Sequence, residues 1–251
     1  MNPAIFIGEP LHYKHDIKVY PPKIRDVVGN PRYGSYAAIF TTSQEDIWDM
    51  IAEKEGKELT GQAVPNAPTP FEFFLNNCYQ SPEFAQIAIQ AFELFTHERV
   101  RINPEGKIVL FTEGLKDIKD VSQLRVIEED DYFDFQNLVR QVLGDDPVER
   151  PNPNMNPKVA LIKAKGRLRE RVKKKKGNKS GITFDTMLVA LCCMNLGLNP
   201  LNIGEIPYPA ASALFAMSQE KEKYETDLKV ATAGFGNKKV KPKYWIKNSD
   251  K

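Results

Sequence analysis

His12, His15 and Asp16 put two imidazoles and a carboxylate within five positions, side-chain types that hold zinc. A closed zinc site needs four ligands and no second pair at ligand spacing follows, so the three read as polar turn residues. Cys192 and Cys193 would form a reactive pair only with a neighbouring cation to lower a thiol pKa. Among Leu188, Val189 and Met194 they read instead as packed side chains. Glu128, Glu129, Asp130 and Asp131 offer carboxylates for acid–base work or for a cation. Consecutive side chains diverge, however, and the run falls where a helix N-terminus favours negative charge. His97 stands alone at a helix end. The sequence shows no glycine-rich phosphate loop, nucleophile elbow or zinc-ligand spacing. The expectation is a protein that is not an enzyme and uses no metal and no cofactor.

The densest charge is cationic. Residues 163–179 hold ten Lys/Arg and one Glu, although the formal net charge of the chain is only +2. Asn156 can cap and Pro157 can open a helix here. Leu161, Ala164, Leu168 and Val172 recur at helical steps, giving a basic helix one narrow apolar stripe. Such a surface is solvated, meets an acidic protein, or neutralises phosphates with strong salt dependence. It lacks interleaved aromatics for base stacking and any recognisable nucleic-acid reader, which favours the solvent or protein readings.

The elements that must position these groups form a mixed front half and a helical back half. Residues 5–7 and 17–20 read as short strands, 23–28 and 33–40 as helices. Thr42 and Glu45 have capping-box spacing and start a helix to about 55 that buries Ile47, Trp48 and Ile51. Residues 57–68 read as a linker-like loop. Thr69-Pro70 and Ser81-Pro82 each cap and open a helix, the second apolar over a wide arc with Phe84, Ile87, Ala88, Ala91, Phe92 and Phe95. Asn103-Pro104-Glu105-Gly106 is a turn between alternating strands, and 121–127 reads as a further strand. Asp130 and Asp131 start a helix with Phe135, Leu138, Val139, Val142 and Leu143 on one face, closed by Gly144. Without a regular βαβ rhythm the expected class is α+β.

The proline-rich run at 145–155 marks a boundary. It predicts an α+β domain at 1–150, a linker with the basic helix at 151–180, and a helical domain with a basic tail at 181–251. In the last, an apolar helix spans 183–196. Pro209 opens a long helix to about 233 with Leu214, Met217, Tyr224, Leu228 and Ala231 on one face. At 251 residues and 41% hydrophobic the chain can bury a core without disulfides. Its three cysteines fit a reducing compartment. No run approaches the roughly 18 apolar residues of a membrane span, and the N-terminus lacks a signal-peptide pattern, so the protein is expected to stay in the cell that makes it.

Several blocks together carry a resemblance. They are IKVYPPKIRDVVGNPRYGSYAAIF and TTSQEDIWDMI, the hairpin, IEEDDYFDFQNLVRQVLG, NPKVALIKAKGRLRERVKKKKG, and the closing MSQEKEKYETDLKVATAG and KPKYWIK. In this series the chain resembles the tail assembly chaperone-like proteins of phages infecting Gram-positive bacteria, which are encoded between the tail tube and tape measure genes. It departs from that family in a longer loop at 57–70. The resemblance implies a helper in the host cytoplasm during infection. It would bind the long, helical tape measure protein, keep its apolar stripe from aggregating, and assist assembly of the tail tube protein, with a homo-oligomer possible. The family supplies no catalytic residues. Candidate partner-binding residues are Phe84, Ile87 and Phe92 in the front half, Leu214, Met217 and Tyr224 in the back half, and Lys173, Lys174, Lys175 and Lys176 on the basic helix. The alternatives are a structural tail or baseplate component retained in the virion, and non-specific nucleic-acid binding through the basic helix.

Overall fold

The chain opens on a helix, α1 (Pro3–Ile7), where residues 5–7 suggest a strand. The Asn2 side chain accepts the Ala4 N–H at 3.0 Å, Pro3 takes the first turn, and Gly8 at φ +86° closes it. These end signals outweigh the β-like run of Ile5, Phe6 and Ile7. The computed structural model describes residues 2–58, 60–103, 105–111, 124–152, 154–175, 183–194 and 196–233. Among them are ten α-helices and two small antiparallel sheets, an α+β architecture.

After α1, β1 (Leu11–His12) pairs with β2 (Lys18–Val19), followed by α2 (Ile24–Val28) and α3 (Tyr33–Thr41). Next comes α4 (Gln44–Lys54), whose capping box is Ser43 with Asp46, one position beyond the Thr42–Glu45 pair. Thr42 instead donates its hydroxyl to the Ala38 carbonyl and ends α3. Thr69 and Glu72 form a second capping box at the start of α5 (Pro70–Gln80). Ser81 then ends α5 and caps α6 (Pro82–Thr96), so one residue makes the corner between the two helices. A three-stranded meander follows, β3 (Arg99–Ile102), β4 (Ile108–Phe111) and β5 (Arg125–Ile127), with the hairpin register set by Ile102 opposite Ile108. The strand expected from 121 is described only from Arg125.

Helix α7 (Glu129–Leu143) stops at Gly144 with φ +86°. The remaining helices are α8 (Pro157–Lys175), α9 (Phe184–Cys193) and α10 (Tyr208–Thr232). Two cores hold the elements. In the larger, Phe40 of α3, Phe92 and Phe95 of α6 and Phe135 of α7 are fully buried. Phe92 stacks on Phe135 at 5.3 Å, and Phe40 meets Phe92 edge-on at 4.9 Å. The three-stranded sheet closes this core with Val100, Ile108, Leu110 and Ile127. In the smaller core, Met187 and Leu191 of α9 and Ala211 of α10 pack with Ile24 of α2. That joins the back half to an N-terminal helix. The backbone reinforces the join where Ile24 N–H donates to the Ile206 carbonyl at 2.9 Å and Tyr208 N–H to that of Pro22 at 2.8 Å.

The run after Gly144 is fastened to α7. The Asn137 carboxamide donates to the Val148 carbonyl at 3.0 Å and accepts the Val148 N–H at 2.9 Å. Helix α8 then docks through Ala160 and Ala164, both buried, and through Arg167. The Arg167 guanidinium forks onto the Asp49 carboxylate at 3.0 and 3.1 Å, with Glu45 at 3.7 Å. Leu161 and Leu168, assigned by spacing to the apolar stripe, are exposed. The reason is close approach. Gly61, at φ +67°, presses so near that a Cβ there would lie 2.3 Å from the Ala160 carbonyl oxygen, and only alanines fit beneath it. The loop at 57–68 therefore includes a packing surface for α8.

Candidate partner-binding groove

An apolar groove of about 290 Å³ opens where α3, α5 and α6 meet above α7. The cap at Thr69 fixes the phase of α5, so Phe71, Phe74 and Cys78 turn into the core. Pro70, Phe73 and the edge of Phe74 then line the groove. The opposite wall is Ala38 and Ile39 of α3, and Phe84 and Ile87 of α6 complete the apolar lining. The Tyr36 hydroxyl donates to Gln90 at 2.7 Å and ties α3 to α6 beside it. Ser35, Thr42 and Gln136 supply the polar atoms, Gln136 being buried with its amide nitrogen 3.4 Å from the Thr42 carbonyl. The described residues that line this groove include no titratable side chain. Its lining suits the burial of apolar side chains with a few amide or hydroxyl contacts.

The predicted partner residues separate. Phe84 and Ile87 line the groove together, half-buried. Phe92 is wholly buried against Phe40 and Phe135, so it supports the core and does not reach a partner. Leu214 packs on the smaller core, Met217 is 48% exposed and Tyr224 is half-buried, all on α10 and outside the groove lining. Lys173, Lys174 and Lys175 fall on the last turn of α8, where only the backbone is described, and Lys176 lies outside the described residues. So do the segment at 176–182 and the tail with Tyr244 and Trp245. Spacing alone did not single out Ile39, Phe73 or Gln136. The Thr69-Pro70 start was a usable signal for Phe73, because it sets which α5 side chains face outward.

A larger trough of about 650 Å³ lies at the α3–α4 junction, lined by Glu45, Asp46, Arg140, Asp145, Asp146 and Arg167 among others. Its cations already have partners. Arg140 donates to the Thr41 carbonyl, and burial lowers its pKa, while Arg167 is committed to Asp49. A mixed-sign trough whose two arginines are already engaged is a weaker ligand site than the groove.

The other candidate groups are structural in placement. His12 Nδ1 is 4.0 Å from Asp16 in an exposed pair, and no cluster of metal-binding side chains occurs among the described residues. Glu129, Asp130 and Asp131 occupy the first turn of α7. There Glu128 pairs with Lys107 at 2.7 Å, Glu129 accepts from Thr69, and Asp131 accepts from both Tyr13 and Lys14. Cys192 is half-buried in the smaller core while Cys193 is exposed, so buried packing describes only the first of the pair. Cys78 is buried, which pushes its thiol pKa up to about 12. His97 ends α6 at φ +56° with its ring stacked on Tyr20 at 4.1 Å. Desolvation of that face lowers its pKa, although the residue's other side meets solvent. None of the described helices is long and apolar enough to cross a membrane. No protein family, curated protein or solved structure matches the chain.

Proposed function

We propose that this protein is a phage tail assembly chaperone that shields an apolar stripe of the tape measure protein and assists tail tube assembly around it. The observation that carries the reading is the groove between α3, α5 and α6, which keeps Phe73, Phe84 and Ile87 half-exposed above a finished core. An extended helix with an unburied apolar face aggregates until it is covered, and a groove between helices covers it reversibly. Each large side chain seated there contributes about 1.5–3 kcal/mol. That suits a contact made during assembly and then released. The resemblance in sequence blocks supplies the identity of the partner.

Co-expression with a tape measure protein encoded beside this chain, as the resemblance implies, tests this. The wild-type chain raises the soluble fraction of the tape measure protein, and Ile87→Asp, which places a charge on a half-buried side chain of the groove, abolishes the rise while circular dichroism and the melting temperature show that the variant folds. A tape measure protein equally insoluble with and without the wild-type chain removes the proposal.

A further inference from the structure

The groove and the mixed-sign trough share a wall. Ala38 and Thr42, one turn apart on α3, belong to both linings, so the two cavities lie on either side of one helical ridge. Gly34 continues that ridge a turn earlier. It is exposed, and a Cβ there would meet nothing within 4 Å. With no side chain larger than threonine at Gly34, Ala38 and Thr42, the ridge lets a second helix approach α3 closely. The two sides differ in charge. The groove side has the apolar lining described above, whereas the trough side sets Glu45, Asp46, Asp145 and Asp146 against Arg140 and Arg167. Arg167 already faces two carboxylates, Asp49 through its fork and Glu45 at 3.7 Å, and Arg140 donates to the neutral Thr41 carbonyl. The trough lining is therefore net negative, and its Asp145 and Asp146 are exposed.

We infer that the helix covered here is amphipathic with a basic flank. Its apolar side chains enter the groove, its backbone passes over Gly34 and Ala38, and Lys or Arg on its other flank reaches Asp145 and Asp146. The inference rests on the proposed reading of the groove as a cover for an apolar stripe, and adds which stripe it takes. Apolar and cationic side chains on adjacent flanks of one helix match the two cavities side by side. A stripe edged with carboxylates would set like charges against the trough, which is how an interface rejects a wrong partner. A nucleic acid or an anionic bilayer meets the same repulsion.

Two synthetic helical peptides with the same leucine stripe, one edged with lysine and the other with glutamate, test this by fluorescence anisotropy against the full chain. The lysine peptide binds roughly tenfold or more tighter at low salt, and the gap narrows as salt is raised. Asp145→Lys with Asp146→Lys inverts the preference. Gly34→Leu, which adds a side chain in open space on the ridge, weakens both peptides by roughly tenfold. Circular dichroism and melting temperatures matching the wild type show that the variants fold. Peptides bound alike or not at all by the wild type, a preference that survives the double reversal, or a lysine peptide bound equally well by Gly34→Leu each overturns the inference. So does a wild-type dimer that Gly34→Leu dissociates, because the occupant of this face is then a second copy. A tape measure protein kept soluble by a chain that binds both peptides alike removes the basic flank and leaves the proposed function standing.

Discussion

Helix α6 sinks Ala88, Ala91, Phe92 and Phe95 completely into the core, whereas α8 buries Ala160 and Ala164 and adds one guanidinium fork. Both are long and strongly patterned, yet the first is held by apolar area and the second mainly by an ion pair. Area holds an element through many contacts that fail together, so removing part of α6 is felt across the domain. An ion pair on a nearly buried carboxylate concentrates attachment at one point, so α8 can be freed by a single change. The groove sits on the wall that α6 helps to build, and the basic surface sits on the helix that is lightly fastened. Rigidity and release are thus assigned to different regions.

The largest loss follows truncation of Phe92. Phe92→Ala leaves a cavity against Phe40 and Phe135, and the global unfolding free energy measured in urea falls by about 3–5 kcal/mol. Arg167→Ala acts at the α8 contact. Asp49, 2% exposed, loses its bidentate partner, and the cost of about 1–3 kcal/mol appears as local opening. Amide exchange then accelerates over residues 157–169 while the core of α6 keeps its protection. Equal acceleration in both helices would mean that α8 is part of the main cooperative unit. The smallest effect belongs to His97 at the end of α6. Its folded pKa lies below the unfolded value of about 6.5, so the unfolded chain takes up the proton first. That contribution is full above the unfolded value and is lost as pH falls through the folded one. His97→Asn, which tolerates the same backbone conformation, flattens the fall in melting temperature between neutral and mildly acid pH.

Much of the front half was legible because its signals are local. The Ser81-Pro82 start, the Asn103 turn and the Gly144 stop each depend on residues a few positions apart, and the corresponding α6, β3–β4 hairpin and α7 end follow. The short α1 was misread because three apolar residues in a row weigh more in a periodicity reading than Asn2, Pro3 and Gly8 at its ends. The docking face of α8 was misread for a different reason. Leucines advertise a core stripe, but the packing partner is a glycine in a loop about a hundred residues earlier, which admits only alanine. The groove was half visible. Phe84 and Ile87 stood out on α6, while the opposite wall came from α3 and α5, whose adjacency is a tertiary fact with no mark in local spacing.

Asn137 also sets where the chain after α7 tolerates added length. By answering both polar groups of Val148, its carboxamide serves that residue as a neighbouring strand would, in a stretch whose prolines could not sustain a ladder. The chain between α7 and α8 is therefore moored at each end, at Val148 and at Arg167. Extra residues inserted at 151–155 become slack between two moorings, and a tag or a second domain could be threaded there with both helices staying where they are.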